Sequence, residues 1–180
     1  MVKVNIKEIV ENLISTFLYA GKVSLDLRDK GLIKKIKDDN TPVTNGDLEV
    51  NKIITKKIDE LAPSIPIISE ENSDNKTISD LKDFWLIDPI DGTHDYINNM
   101  DEFTINAGLI FNNRPVAGLI CAPAKKRMFF SFGINQAFEL INGKSIKLNP
   151  TRNFKKDNIS FVSYSNLSLI HISEPTRQSL

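Results

Sequence analysis

The sequence predicts a layered α+β fold, with two amphipathic helices ahead of a run of antiparallel strands. Three observations carry this expectation. Apolar residues recur at helical spacing over residues 4–29 and again over 44–61. Two short apolar strands follow, and each runs directly into acidic residues. From Thr104 to Leu140, strand-length apolar segments alternate with turn signals, the pattern of an antiparallel sheet.

In chain order, Ile6, Ile9, Val10, Leu13, Phe17, Ala20 and Leu27 mark one face of the first helix. Gly21 lies inside it and Gly31 just beyond its end. Leu32 to Lys37 predicts a short strand before the polar turn Asp38-Asp39-Asn40. Thr44 is a good N-cap for the second helix, and Asp47 stands three places on, as in a capping box. Val50, Ile53, Ile54, Ile58 and Leu61 supply its apolar stripe, and Pro63 and Pro66 end it. Ile67-Ile68 is a short strand delivering Glu70 and Glu71, and residues 72–83 read as a surface loop. Phe84-Trp85-Leu86-Ile87 is a strand running into Asp88, with a tight turn expected over Asp88-Pro89-Ile90-Asp91. A helical segment is expected at about 94–99. Strands follow at Thr104–Phe111, Pro115–Cys121, Arg127–Phe132 and Gln136–Leu140, with a last one near Ile159–Val162. Asn112-Asn113 is a hairpin turn signal.

Composition excludes several classes. The 180 residues are 41% hydrophobic and 26% charged, within the ordinary globular range. Lys+Arg and Asp+Glu both number 23, so no basic excess exists to bind a nucleic-acid backbone. Cys121 is the only cysteine, which excludes an intrachain disulfide and a Cys-rich zinc site; a buried thiol is expected there. No run approaches the ~18 apolar residues of a membrane span, and the N-terminus lacks an apolar signal core. A cytoplasmic protein is expected.

The tail is read separately. Leu167 to Arg177 spells LSLIHISEPTR, which resembles the translation of a transposase-type sequencing adapter. Residues 167–180 are therefore expected to be non-native, and His171 is no catalytic candidate. Residues 1–166 are expected to be the N-terminal portion of a larger domain.

The acids carry the chemistry. Glu70-Glu71 and Asp88/Asp91 each sit at the C-terminal end of a short strand, where side chains from different strands can converge. Carboxylates gathered there would raise one another's pKa unless a cation neutralised them. Hard oxygen ligands of this kind select Mg²⁺ or Mn²⁺ over zinc. Gly92, Thr93 and His94 would open a helix whose first N–H groups form an anion site. Metals on one side and amides on the other would hold a phosphoryl group. Singly, each signal has a plainer reading: Asp47 as a cap residue, Glu70-Glu71 as a surface loop, Asp91-Gly92 as a turn, Thr93 as an N-cap and His94 as an exposed histidine.

In combination, Asp47, Glu70-Glu71 and Asp88-Pro89-Ile90-Asp91-Gly92-Thr93 resemble the pattern of the inositol-monophosphatase superfamily of lithium-sensitive phosphatases. The similarity runs over residues 4 to 166. Asp39-Asn40-Thr41-Pro42-Val43-Thr44, Ser69-Glu70-Glu71, Asp95-Tyr96-Ile97 and Glu102-Phe103-Thr104-Ile105-Asn106 are most similar to its 3′(2′),5′-bisphosphate nucleotidases of CysQ type. His94, where those nucleotidases often have Lys, is a departure.

The resemblance implies the layered α/β sandwich of that superfamily, of which this chain would hold the N-terminal portion. It implies that Glu70, Asp88 and the Ile90 carbonyl bind a first Mg²⁺ or Mn²⁺, and that Asp88 and Asp91 share a second. Glu70 reaches a third. Asp47 and Thr93 orient and deprotonate the attacking water. Gly92 and Thr93, with Glu70, Asp91 and the His94 N–H, hold the phosphate. The family's later Trp-Asp ligand has no counterpart, since Trp85 is followed by Leu86; this chain is expected to turn over poorly.

The implied reaction is Mg²⁺-dependent hydrolysis of the 3′-phosphate of adenosine 3′,5′-bisphosphate to AMP and phosphate. The related sulfated nucleotide would be a second substrate, tying the protein to sulfur assimilation, and a homodimer is an allowed assembly. The alternatives are an inositol-1-phosphate or sugar-phosphate phosphatase using the same site, or an inactive metal- or nucleotide-binding fragment.

Overall fold

Helix α1 spans Ile6–Lys30 and buries Ile9, Val10, Leu13, Phe17, Ala20, Gly21 and Ser24 along one stripe. Leu27, expected in that stripe, is only partly buried. The computed structural model describes residues 5–37, 41–71 and 81–149. The expected turn at 38–40, most of the loop at 72–83, the strand near 159–162 and the tail at 167–180 lie outside them.

The ends of α1 follow local chemistry. The Asn5 side chain accepts from the Glu8 N–H, and Gly31 closes the helix at φ 95°, its N–H bonding Arg28 O at 3.2 Å. Gly21 costs helix propensity but permits close packing. A Cβ there would stand 3.1 Å from the Pro123 ring and 3.3 Å from Cys121 Sγ.

Strands β1 (Lys34–Ile36) and β2 (Pro42–Thr44) pair as an antiparallel ribbon leading into α2 (Asn45–Leu61). β2 was not expected from the sequence. Its proline stands at the first position of a short edge strand, where a missing N–H costs no ladder bond. The capping box at α2 forms as predicted, with Thr44 N–H and Thr44 O–H both donating to Asp47 Oδ2, at 2.8 and 2.6 Å. Val50, Ile54 and Ile58 are fully buried, whereas Ile53 and Leu61 lie at the edge of the core.

A seven-stranded sheet follows in the order β3-β4-β5-β6-β7-β8-β9. Its strands are β3 (Ile67–Ser69), β4 (Phe84–Asp91), β5 (Thr104–Phe111), β6 (Arg114–Ala122), β7 (Arg127–Phe132), β8 (Ala137–Ile141) and β9 (Lys144–Lys147), with the short helix α3 (Thr93–Ile97) between β4 and β5. β3 and β4 are parallel, and every later neighbour is antiparallel. The β5–β6 turn has Asn112 at φ 50° and Asn113 at φ 60°, as a type I′ hairpin requires. β9, also not expected, is a fully exposed edge whose single apolar residue, Ile146, gives no periodic signal.

One sheet face carries Trp85, Ile87, Ile105, Leu109, Leu119 and Phe130, which form a single cluster with the stripes of α1 and α2. Truncating Phe17 or Trp85, both fully buried, would cost ~3–5 kcal/mol. On the opposite face Leu86 and Ile120 are about half exposed. Residues of even number in the first part of β4 point to that face, and Asp88 is among them.

Candidate active site

Parallel pairing of β3 with β4 is what gathers the acids. Ser69 lies beside Ile87, and the Glu70 N–H continues the ladder to Ile87 O at 3.2 Å. β3 thus ends alongside the middle of β4, and Glu70, just past its end, adjoins Asp88. Ser69 is held from behind, its buried hydroxyl bonded to Asn51 Oδ1 at 2.7 Å.

The expected tight turn over residues 88–91 is corrected: the strand continues to Asp91 through a β-bulge. Asp88 lies opposite Asn106 and Asp91 opposite Thr104. Three steps along β4 against two along β5 leave one extra residue. Without the bulge, strict alternation would send Asp88 and Asp91 to opposite faces; the extra residue returns both to one face. Pro89 suits this break in the ladder, having no N–H to leave unpaired. Pro89 and Ile90 are buried, anchoring the bulge from below.

Burial, with the nearby charges of Glu70 and Asp91 and a hydrogen bond shared with Glu70, pushes the Asp88 carboxyl from 3.8 up to about 7. Its Oδ1 is buried and has no hydrogen-bond partner. Burial also raises Glu71, opposed by Lys37, whose Nζ lies 2.8 Å from Glu71 Oε1 and 3.8 Å from Glu70 Oε1.

Asp47 bonds the cap and Thr93 through different oxygens. Oδ2 closes the capping box, while Oδ1 faces Thr93 Oγ1 at 3.3 Å. The Thr93 hydroxyl also lies 3.0 Å from Ile90 O. It has one proton for two acceptors, so it donates to one of them at a time.

Gly92 stands at the N-terminus of α3 with φ 93°, and a Cβ on it would lie 2.9 Å from Glu102 O. Tyr96 locks the short helix down: it is fully buried, donates to Ser24 O at 2.6 Å, and its ring fills the space a Cβ on Gly46 would need. The His94 ring is turned outward to Asp95 and Asn98 and is largely exposed.

The structure therefore brings together Glu70 with Asp88, and Asp47 with Thr93 and the Ile90 carbonyl. Asp91 is directed to Asn106, whose Nδ2 donates to Asp91 Oδ2 at 3.1 Å. These hard oxygens, one of them a buried acceptor without a donor, suit a divalent cation such as Mg²⁺ or Mn²⁺. Among the described residues no three His, Cys, Asp or Glu side chains already converge as a cage. The sequence pattern assigns no role to Asn106, Lys37 or Tyr96. Asn106 stands at a face-alternating position of β5, but only the strand register reveals that it meets Asp88.

Comparison with known proteins identifies the family. The profile of the inositol monophosphatase family matches residues 6–178. The chain is 32% identical over 145 residues to the 3′(2′),5′-bisphosphate nucleotidase CysQ of Aggregatibacter actinomycetemcomitans, covering 78% of this chain and 53% of that protein. An IMPase of Thermotoga maritima superposes with a TM-score of 0.63 at 22% identity, over 78% of this chain and 54% of the other. An IMPase/NADP phosphatase solved with Mg²⁺ and phosphate gives 0.66 at 19%, over 74% and 51%. The chain spans about half the length of the curated relatives it matches. No helix among the described residues is long and apolar enough to cross a membrane. With its profile matched over almost the whole chain, the chain belongs to the inositol monophosphatase family.

Proposed function

We propose that this chain carries the Asp88-centred part of a Mg²⁺-dependent phosphomonoesterase site. The full-length enzyme would release the 3′-phosphate of adenosine 3′,5′-bisphosphate, giving AMP. The observation that carries the reading is the junction of Glu70, just past the end of β3, with Asp88 on the parallel strand β4, with the Asp88 carboxyl pushed up to about 7. Similarity to CysQ nucleotidases supports the substrate. Lithium inhibition, action on the sulfated nucleotide, a cytoplasmic location and the division at residue 166 belong to the same proposal.

Bound Mg²⁺ would supply charge neutralisation for the phosphate and a more acidic water, held by Glu70, Asp88, Asp91 and the Ile90 carbonyl. The chain's own groups do the rest. Asp47 Oδ1 is the acceptor for the Thr93 Oγ1 proton, and Thr93 Oγ1 in turn can accept from a nucleophilic water. Because the cap fixes Asp47 Oδ2, the carboxylate cannot rotate away, which preorganises the proton path. The first-turn N–H groups at Gly92, Thr93 and His94 receive phosphate oxygens, and Gly92 permits their close approach.

The test is steady-state phosphate release by the full-length protein from adenosine 3′,5′-bisphosphate and from inositol 1-phosphate. A higher kcat/KM for the nucleotide, with a loss of ~100-fold or more in Asp88→Asn, is expected. Faster release from inositol phosphate would replace the substrate, and near-normal turnover by Asp88→Asn would remove the site.

A further inference from the structure

Asn106 belongs to neither the core nor the set of charged groups. It lies on the sheet face opposite the helices, between inward-facing Ile105 and Ala107. It is the register partner of Asp88 at the last regular pair before the bulge, and Thr104 faces Asp91 just after it. Its Nδ2 reaches diagonally across this irregularity to Asp91 Oδ2 at 3.1 Å. The other end of the same amide, Oδ1, is buried and has no hydrogen-bond partner, as is true of Asp88 Oδ1 beside it.

Two buried acceptors without donors on paired residues form a costly arrangement, because each gives up water and gains nothing in return. Such groups persist where a further donor or cation completes them. An amide is also the side chain that suits the place. Its N–H holds a carboxylate without adding charge, which a lysine would do, and without adding a further anion, which an aspartate would do.

We propose that Asn106 is a positioning residue of the metal site, fixing the Asp91 carboxylate across the bulge and presenting Oδ1 as an acceptor beside Asp88. This rests on the reading of Asp88 and Asp91 as metal ligands. Asn106 acts through Asp91, in the way outer-shell partners orient the groups that bind an ion. The bulge supplies the face, and Asn106 selects the orientation on it.

The experiment is a double-mutant cycle on the chain, read by Mn²⁺ binding in calorimetry and by melting without metal. Asn106→Leu, of similar size, is expected to weaken Mn²⁺ binding by ~10–100-fold. Metal-free melting is expected to hold or rise, since a buried unpaired acceptor is removed with its donor. In an Asp91→Asn background the same substitution should cost less than ~3-fold, because the two residues act as one unit. Asn106→Gln, which keeps both amide functions, should recover part of the loss.

Wild-type affinity in Asn106→Leu, or an equal loss in both backgrounds, overturns the proposal. So does a loss of affinity that merely follows a fall in melting temperature. A wild-type chain that binds Mn²⁺ no better than Asp88→Asn overturns the metal-site reading and this inference with it. Mn²⁺ binding lost in Asp88→Asn but unchanged in Asn106→Leu overturns the role of Asn106 alone.

Discussion

Replacing Asp88 with Asn should flatten the pH dependence of folding stability in the metal-free chain. In the folded chain this carboxyl titrates at about 7, against 3.8 ordinarily, because burial and the charges of Glu70 and Asp91 oppose its ionisation. The folded state therefore binds the proton more tightly than the unfolded state. The stabilisation from that proton is fully present below 3.8 and is lost as pH rises through about 7. The full shift would correspond to ~4 kcal/mol. Asp88 keeps part of its surface in water, where screening weakens such interactions, and a loss of ~1–2 kcal/mol is the realistic expectation. For a domain of this size that is a fall of ~3–6 °C in melting temperature.

The assay is thermal or urea unfolding from pH 4.5 to 8.5 in chelator, with Asp88→Asn run in parallel so that other carboxylates cancel. Wild type should lose stability relative to the variant across this range and level off above about pH 8. Parallel curves would refute the reasoning, since they would mean that Asp88 has no proton to lose there. A difference of the opposite sign would refute it more strongly, by showing a carboxylate stabilised in its charged form.

Two further perturbations probe the scaffold around the site. Gly92→Ala places a Cβ at φ 93° and 2.9 Å from Glu102 O; it should cost ~1–3 kcal/mol in urea unfolding, and unchanged stability would contradict the positive-φ requirement. Thr44→Ala removes the cap hydroxyl that accepts from Gly46 and Asp47 N–H and donates to Asp47 Oδ2. It should cost ~0.5–2 kcal/mol, with Thr44→Ser near wild type, and equal losses in both would point to packing of the methyl group instead.

Much of this architecture is legible in the order of residues because it depends on local rules. The stripe of Val10, Leu13 and Phe17, the cap pair Thr44 and Asp47, and the left-handed turn at Asn112-Asn113 each express a period or a hydrogen bond within a few residues. β2 and β9 were not legible, being short edge strands whose pairing is supplied by a neighbour rather than by their own pattern.

At the candidate site the division is sharper. The sequence alone determined which residues are acidic, that Glu70 follows a strand, that Gly92 opens a helix, and, by its motif, the family, but it ended β4 before Asp88, which lies inside that strand. Strand pairing decided the rest. Parallel alignment of β3 and β4 brings Glu70 to Asp88 across a gap in sequence that no local rule spans. The bulge puts Asp91 on the face of Asp88, and the β4–β5 register makes Asn106 their neighbour. The raised Asp88 carboxyl follows from these juxtapositions, because desolvation and like-charge repulsion act through space and not along the chain.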